Sequence, residues 1–86
     1  MSFDDVKTKP VGDRITECMN IKKQISSLGL LILDGVSSKL SENMNNFIKN
    51  GVSRQFKIHI PHQHAYLEVR LCVSQGIKSG VTFVGA

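Results

Sequence analysis

Three histidines lie within six positions of each other, as His59, His62 and His64. Imidazole is the commonest metal ligand in proteins, so this cluster offers three nitrogen ligands to zinc or nickel. No cysteine lies among them, and the nearest acid, Glu68, falls opposite Lys57 in the strand register predicted below. The ligand set is incomplete within one chain. A metal site formed by these three histidines is therefore a secondary hypothesis, and we expect no bound cofactor.

Catalytic chemistry has little support in the residue pattern. Gly76 and Gly80 are not followed by the Lys-Ser or Lys-Thr pair of a phosphate-binding loop. A Cys72 nucleophile paired with His59 lacks an orienting acid, and the predicted register places Gln55 nearer to the thiol than His59. The acidic residues are scattered along the chain instead of paired for acid–base work. We expect a protein that is not an enzyme.

Cysteine usage and the absence of long apolar segments bear on the cellular compartment. Cys18 and Cys72 are 54 positions apart and belong to no CxxC pair. They favour reduced thiols in an intracellular, cytoplasmic protein, and a single long-range disulfide is the alternative. The first ten residues lack an apolar core and a small-residue cleavage site, so no signal peptide is predicted. The longest apolar run, Leu30–Leu33, is far too short to cross a bilayer, and no membrane partner is expected.

Positive charge is concentrated in the second half of the chain. Residues 1–48 carry equal numbers of basic and acidic side chains, whereas residues 49–86 carry five basic residues and one acid, which accounts for the net charge of +4. Sheet faces that bind single-stranded nucleic acid use basic groups for phosphates and rings for bases. The residues of this hypothesis are Lys49, Arg54, Lys57, Tyr66, Arg70 and Lys78. The alternative is an ordinary solvated face with a Lys57–Glu68 pair, because only one ring is available.

Two helices are predicted in the first half of the chain. Asp13 is a preferred N-cap, and the apolar positions after it recur at spacings of three and four: Ile15, Cys18, Ile21, Ile25 and Leu28. Gly29 is a suitable stop. A second helix is predicted from Asp34 to the Asn50-Gly51 pair, an ordinary C-terminal signal. We interpret residues 1–12 as a flexible N-terminal lead-in and residues 13–86 as a single α+β domain.

The apolar run Leu30–Leu33 between these helices is ambiguous. It fits the first turn of the second helix, or a short buried strand before an Asp34-Gly35 turn, and it is too short for periodicity to separate the two. We favour the helix. Four consecutive apolar side chains point in all directions around either element, so a single sheet cannot cover them all.

Two strands with alternating apolar side chains are predicted in the second half, joined by a hairpin at residues 61–64. Setting Ile60 opposite Ala65 pairs apolar with apolar positions and places Lys57 opposite Glu68. A slip of one residue would lose both features. A third strand, Val81–Val84, completes a three-stranded antiparallel meander, packed against the two N-terminal helices in the order ααβββ.

Free strand edges and uncovered apolar residues predict self-association. The third strand carries no charge to protect its edge, and the Leu30–Leu33 run exceeds what the monomer covers. The residues of the predicted homo-oligomer interface are Leu30, Leu31, Ile32, Leu33, Val81 and Phe83. The alternative is that the N-terminal ten residues fold over these positions. The sequence thus favours a small, non-enzymatic, self-associating binding protein, with nucleic-acid binding as the alternative function.

Overall fold

Two helices precede a three-stranded antiparallel sheet in the computed structural model, which describes residues 10–73 and 78–85. The elements in chain order are helices α1 (Val11–Ser27) and α2 (Val36–Asn50) and strands β1 (Arg54–His59), β2 (Ala65–Leu71) and β3 (Gly80–Gly85). The predicted α+β class and the ααβββ order are confirmed.

Helix α1 begins two residues before the predicted N-cap. Pro10 occupies the N-cap position, and its carbonyl accepts the first helical hydrogen bond from the Arg14 amide at 3.0 Å. Asp13 therefore lies inside the first turn, where the positive end of the helix dipole stabilises its carboxylate. Residues 11 and 12 of the predicted lead-in thus belong to the helix, and residues 1–9 lie outside the described residues.

The buried face of α1 is narrower than its apolar stripe predicts. Three of the five stripe positions are buried, but Ile15 and Leu28, at the two ends of the stripe, are exposed. Arg14 is buried instead. Its guanidinium donates two hydrogen bonds to the carbonyl oxygen of Ile48, from Nε at 3.1 Å and from Nη2 at 2.8 Å. Because Ile48 lies near the end of α2, the arginine side chain links the two helices.

The chain leaves α1 at Gly29, the predicted stop, which has a left-handed backbone conformation. Gly29 has a φ of 75°. Its amide donates to the Ser26 carbonyl at 2.9 Å, and the Leu30 amide donates to the Ile25 carbonyl at 3.3 Å. These two bonds satisfy carbonyl groups that the end of the helix leaves open, in the Schellman arrangement.

The segment between the helices is not the helix that we predict, and it is not a strand either. Residues 30–35 form consecutive turns, and the Leu33 amide donates to the Leu30 carbonyl at 3.1 Å. Gly35, with a φ of 83°, immediately precedes α2, so the helix begins two residues after Asp34. A left-handed residue cannot continue a right-handed helix, which is why the predicted start at Asp34 is wrong.

The sheet has the order β1-β2-β3 with antiparallel neighbours. The register of β1 against β2 is the predicted one, with Ile58 opposite Leu67 and Lys57 opposite Glu68. Strand β3 extends these rows of paired residues, because Thr82 lies opposite Glu68, which itself lies opposite Lys57. Each level of the sheet therefore carries three aligned residues, one from each strand.

Both helices cover the same face of the sheet, with α1 over β2 and β3 and α2 over β1. The side chains that are completely inaccessible to solvent come from both layers: Ile25, Val36, Phe47, Leu67, Val69 and Leu71. Burying such a side chain contributes roughly 1.5–3 kcal/mol. Contact between the layers thus fixes the sheet, and within residues 10–73 and 78–85 no further strand pairs with β1 or β3.

Candidate functional site

Nine residues on three levels form the face of the sheet that points away from the helices, which we call the outer face. From the open end of the β1–β2 hairpin to its turn, the levels are Gln55-Arg70-Gly80, Lys57-Glu68-Thr82 and His59-Tyr66-Val84. Successive levels lie about 7 Å apart, twice the rise per residue of an antiparallel strand. The predicted outward positions of Lys57, Tyr66 and Arg70 are confirmed.

Two groups from β1 flank the Tyr66 ring. The Lys57 ammonium nitrogen lies 5.0 Å from the ring centroid, within the range of a cation–π interaction. The His59 ring meets the Tyr66 ring edge-on, with centroids 6.2 Å apart and planes inclined at 60°. Both contacts follow from the register, since His59 is directly opposite Tyr66 and Lys57 is its diagonal neighbour. The half-buried ring is held in place while part of it stays accessible.

Glu68 is the single acid of the outer face. Its Oε2 accepts a hydrogen bond of 3.3 Å from Nε2 of Gln55, whereas the ammonium of Lys57 turns to the Tyr66 ring. Lys57 and Glu68 are thus opposite each other as predicted, but their side chains make different contacts. The exposed cations Lys57 and Arg70 both lie beside Glu68, one across the sheet and one along β2.

Arg54 does not belong to the outer face, which corrects its place in the predicted nucleic-acid set. It lies opposite Leu71, on the helix side of the sheet, and its guanidinium donates to the side-chain oxygen of Asn43 in α2. The cause is strand alternation, because the side chains of β1 point alternately to the two faces. Lys49 is exposed in the last turn of α2, in the helix layer, and Lys78 is exposed shortly before β3, where it lines a cavity with Glu17 of α1, so neither is among the residues of the outer face.

The three histidines do not converge on one point. His59 contacts Tyr66 on the outer face, whereas His62 and His64 are exposed in the hairpin turn. Residues 10–73 and 78–85 contain no group of three His, Cys, Asp or Glu side chains that could hold a metal ion. The geometry gives the metal hypothesis no support.

Both cysteines are buried free thiols. Cys72, predicted on the outer face, follows the end of β2 and is buried there, with its Sγ 3.8 Å from the Lys78 carbonyl oxygen and its amide donating to Oγ of Ser79 at 3.0 Å. Cys72 lies beyond the open end of the hairpin, whereas His59 lies near its turn. The two residues are therefore too far apart to form a nucleophile pair. Burial, and secondly the negative charge of Glu17, raises the pKa of the Cys18 thiol to about 11. That thiol is protonated and a poor nucleophile at neutral pH.

The backbone of β3 directs hydrogen-bonding groups away from β2 along one side. The Ile60 amide donates to the Ala65 carbonyl at 3.1 Å, so these two residues form a hydrogen-bonded pair, and such pairs alternate along antiparallel strands. Followed through both registers, this alternation directs the even-numbered residues of β3 toward β2. The N–H and C=O groups of Val81, Phe83 and Gly85 point away from β2, and no strand of the described chain lies beside them.

The apolar residues of the predicted interface are only partly uncovered. Three of the four residues in Leu30–Leu33 pack against the chain's own core, and Ile32 alone protrudes, 89% exposed. The monomer therefore buries part of each of these three leucines, whereas the sequence predicts that it leaves the run uncovered. Val81 also packs against the core, whereas Phe83 is 49% exposed although it lies on the helix side of the sheet.

An apolar groove between α1 and α2, on the side away from the sheet, is a feature that the sequence analysis misses. The groove has a volume of about 210 Å³. Its apolar lining residues are Ile15, Cys18, Met19, Leu31, Leu40, Met44 and Ile48. The sequence signal for this groove is the pair Ile15 and Met19, four residues apart and both exposed. The apolar stripe predicted for α1 contains Ile15 but not Met19.

Comparisons with known proteins do not identify this chain. No protein-family model matches it, and neither a curated protein nor a solved structure shows significant similarity to it. Within the described ranges, neither helix combines the length and the apolar character that crossing a bilayer requires. The outer face and the β3 edge are therefore the features that bear on function.

Proposed function

We propose that the chain is a non-enzymatic interaction protein whose first partner is a second copy of itself, bound through the free edge of β3. The observation that supports this most is the outward backbone of Val81, Phe83 and Gly85, on a strand without charge or proline. An edge strand of this kind is a template for a further strand, because the addition satisfies its open N–H and C=O groups.

The second free edge of the sheet, on β1, has different side chains. By the same alternation, its outward backbone groups belong to Gln55, Lys57 and His59. A lysine in the middle of an edge strand disfavours strand addition, since two copies joined there would bring like charges together. This difference favours β3 as the edge that pairs.

A two-fold axis through Phe83 uses the β3 edge most completely. Phe83 is the central one of the three outward residues, so the axis pairs it with the partner's Phe83 and pairs Val81 with the partner's Gly85. All three outward residues then form hydrogen-bonded pairs, about six bonds in total. The interface is self-complementary, as a two-fold interface must be, and the two sheets become continuous.

The side chains at the edge fit the same register. A Cβ atom built on Gly85 would lie 2.6 Å from Cε1 of Phe83, so the ring occupies the space that a side chain at Gly85 would take. In the dimer, Val81 faces a position without a side chain and contacts the partner's Phe83 ring. Each square ångström of apolar surface removed from water contributes about 25 cal/mol.

Proline substitution separates edge pairing from folding. In the variant Val81→Pro, the lost N–H points away from β2, so the β2–β3 ladder keeps its bonds while the two-fold interface loses two, one from each copy. Gln55→Pro is the matched control, because it removes an outward N–H from the β1 edge. At high micromolar concentration, light scattering should give twice the chain mass of 9.5 kDa for the parent and for Gln55→Pro, and 9.5 kDa for Val81→Pro. A parent mass of 9.5 kDa would refute the proposal.

Disulfide trapping tests the register. With the axis at Phe83, the two Phe83 Cα atoms are about 5.5 Å apart, within the range of a disulfide. The two Thr82 Cα atoms are then roughly 8 Å apart, beyond that range. Under mild oxidation Phe83→Cys should form a covalent dimer and Thr82→Cys should not. The opposite result would place the axis at Thr82.

A further inference from the structure

We propose that the outer face of β1 and β2 binds single-stranded nucleic acid, with Tyr66 stacking on a base and with Lys57 and Arg70 contacting phosphates. The three residues belong to one chain, so the site is complete in the monomer. The inference therefore goes beyond the proposed self-association and does not depend on it.

The charge of the outer face fits a phosphate backbone. The only acid among residues 49–86 is Glu68, and it is hydrogen bonded to Gln55 instead of neutralising Lys57. Lys57 and Arg70 are both exposed on the outer face, one level apart. A phosphate backbone that crosses these levels meets two cations that no carboxylate of the described chain pairs with. Lysine and arginine contacts of this kind provide most of the affinity of nucleic-acid binding.

The setting of the Tyr66 ring fits a stacked base. The ring is oriented by Lys57 at 5.0 Å and by the edge-on ring of His59, so little further ordering is needed when a base stacks on its accessible part. A phosphate attached to that base would lie beside the Lys57 ammonium. A ring on a sheet face reaches only unpaired bases, because the bases of a duplex are stacked on each other. The site should therefore prefer single strands.

Removing the charge of Glu68 should raise the affinity for nucleic acid, whereas removing a cation should lower it. Its carboxylate lies on the outer face beside both cations, so it repels any phosphate that they attract. At a separation of about 7 Å in water, removing this charge should raise the affinity roughly two- to threefold. An ordinary loss of structure would lower the affinity instead, so Glu68→Gln distinguishes a charge effect from misfolding.

The binding experiment uses fluorescein-labelled oligo(dT) and oligo(U) of about 12 nucleotides, with a labelled duplex of the same length. Anisotropy should rise with protein concentration for both single strands and less for the duplex. If the site makes two phosphate contacts, raising the NaCl concentration from about 50 to about 200 mM should lower the affinity about sevenfold. A preference for oligo(dT) or oligo(U) would decide between DNA and RNA. No binding at the lower salt concentration, or equal binding of the duplex, overturns the inference.

Matched variants assign the contacts. Lys57→Gln and Arg70→Gln should each lower the affinity about eightfold at about 50 mM NaCl and reduce the salt slope by about 0.7. Lys39→Gln removes the same charge from the exposed side of α2 and should have little effect. Tyr66→Leu should lower the affinity at least about fivefold, while Tyr66→Phe keeps the ring and the affinity.

The outcomes separate this inference from the dimer proposal. Equal losses of affinity in Lys39→Gln and Lys57→Gln would show that only the net charge matters, and the assignment of the site to the outer face would be wrong. Val81→Pro should become monomeric and still bind oligo(dT), because its substitution lies on β3. Loss of oligonucleotide binding in a folded Val81→Pro chain would contradict a site that is complete in one chain.

Discussion

The guanidinium of Arg54 donates two hydrogen bonds to the side-chain oxygen of Asn43, at 3.1 Å from Nε and 2.9 Å from Nη2. Asn43 is buried in α2, and its Nδ2 donates to the Lys39 carbonyl at 2.9 Å. One buried amide thus joins the first residue of β1 to the helix that covers that strand. This contact removes Arg54 from the charged surface that the sequence predicts for it.

A double-mutant cycle should show that the pair acts as a unit. Asn43→Leu leaves the Arg54 donors without their partner, and Arg54→Met leaves the Asn43 oxygen without donors. Each single change should lower the free energy of unfolding by about 1–3 kcal/mol, because an unsatisfied buried polar group keeps its desolvation cost. The double variant should lose at least about 0.5 kcal/mol less than the two single losses together.

Urea unfolding measures the four chains of this cycle. Gln55→Ala is a suitable comparison, since its hydrogen bond to Glu68 is exposed and its loss should cost less than about 0.5 kcal/mol. Strict additivity of Asn43→Leu and Arg54→Met would mean that the observed hydrogen bonds do not couple the two residues energetically.

The sheet could be predicted from sequence because several independent signals specify one register. Apolar alternation, the Lys57–Glu68 opposition and a four-residue hairpin all require Ile60 opposite Ala65, and a slip of one residue would invert both faces. The observed pairs follow that register throughout. The outward positions of Lys57, Tyr66 and Arg70 follow directly from it.

The parts that sequence analysis misses depend on tertiary contacts. The spacing of apolar residues in α1 does not show that Arg14 is buried while Ile15 is exposed. The burial of Arg14 depends on its hydrogen bond to the Ile48 carbonyl near the end of α2. The Leu30–Leu33 run has helical composition, but the left-handed glycines on both sides of it confine it to turns. The partner of Arg54 was unpredictable for the same reason, since Asn43 reaches it only once α2 packs on β1.

Two glycines that differ in backbone conformation should respond oppositely to alanine. Gly29 has a φ of 75°, whereas Gly12 lies inside α1, and an added Cβ meets nothing within 4 Å at either position. Gly29→Ala should lower the free energy of unfolding by about 1–2 kcal/mol through left-handed strain. Gly12→Ala should raise it by up to about 1 kcal/mol. Thermal unfolding of both variants checks this, and a loss of stability in Gly12→Ala would be the unexpected result.

The Cys18 thiol should make the fold sensitive to alkaline pH. Its pKa rises from 9.0 to about 11, because burial and then the charge of Glu17 disfavour the thiolate. The folded state therefore favours the protonated thiol. This contribution to stability is complete below pH 9.0 and is lost as the pH rises toward 11.

The measurement is urea unfolding across that pH range, with Cys18→Ala as the control. The parent chain should lose more stability than the control between pH 9.0 and about 11, since the control retains every other titrating group. Parallel pH profiles for the two chains would show that the thiol does not contribute.

The β1–β2 turn should become more stable when His62 is replaced by glycine. The Gln63 amide donates to the Ile60 carbonyl at 3.3 Å, with Pro61 and His62 between them, and His62 has a φ of 63°. A type II turn requires a positive φ at this third position and favours glycine there. His62→Gly should therefore raise the free energy of unfolding by about 0.5–1 kcal/mol, because the relief of strain exceeds the entropy cost. His64→Gly carries the same entropy cost without that relief and should lower it. Stabilisation by His64→Gly, or equal losses in both variants, would contradict the assignment of strain to His62.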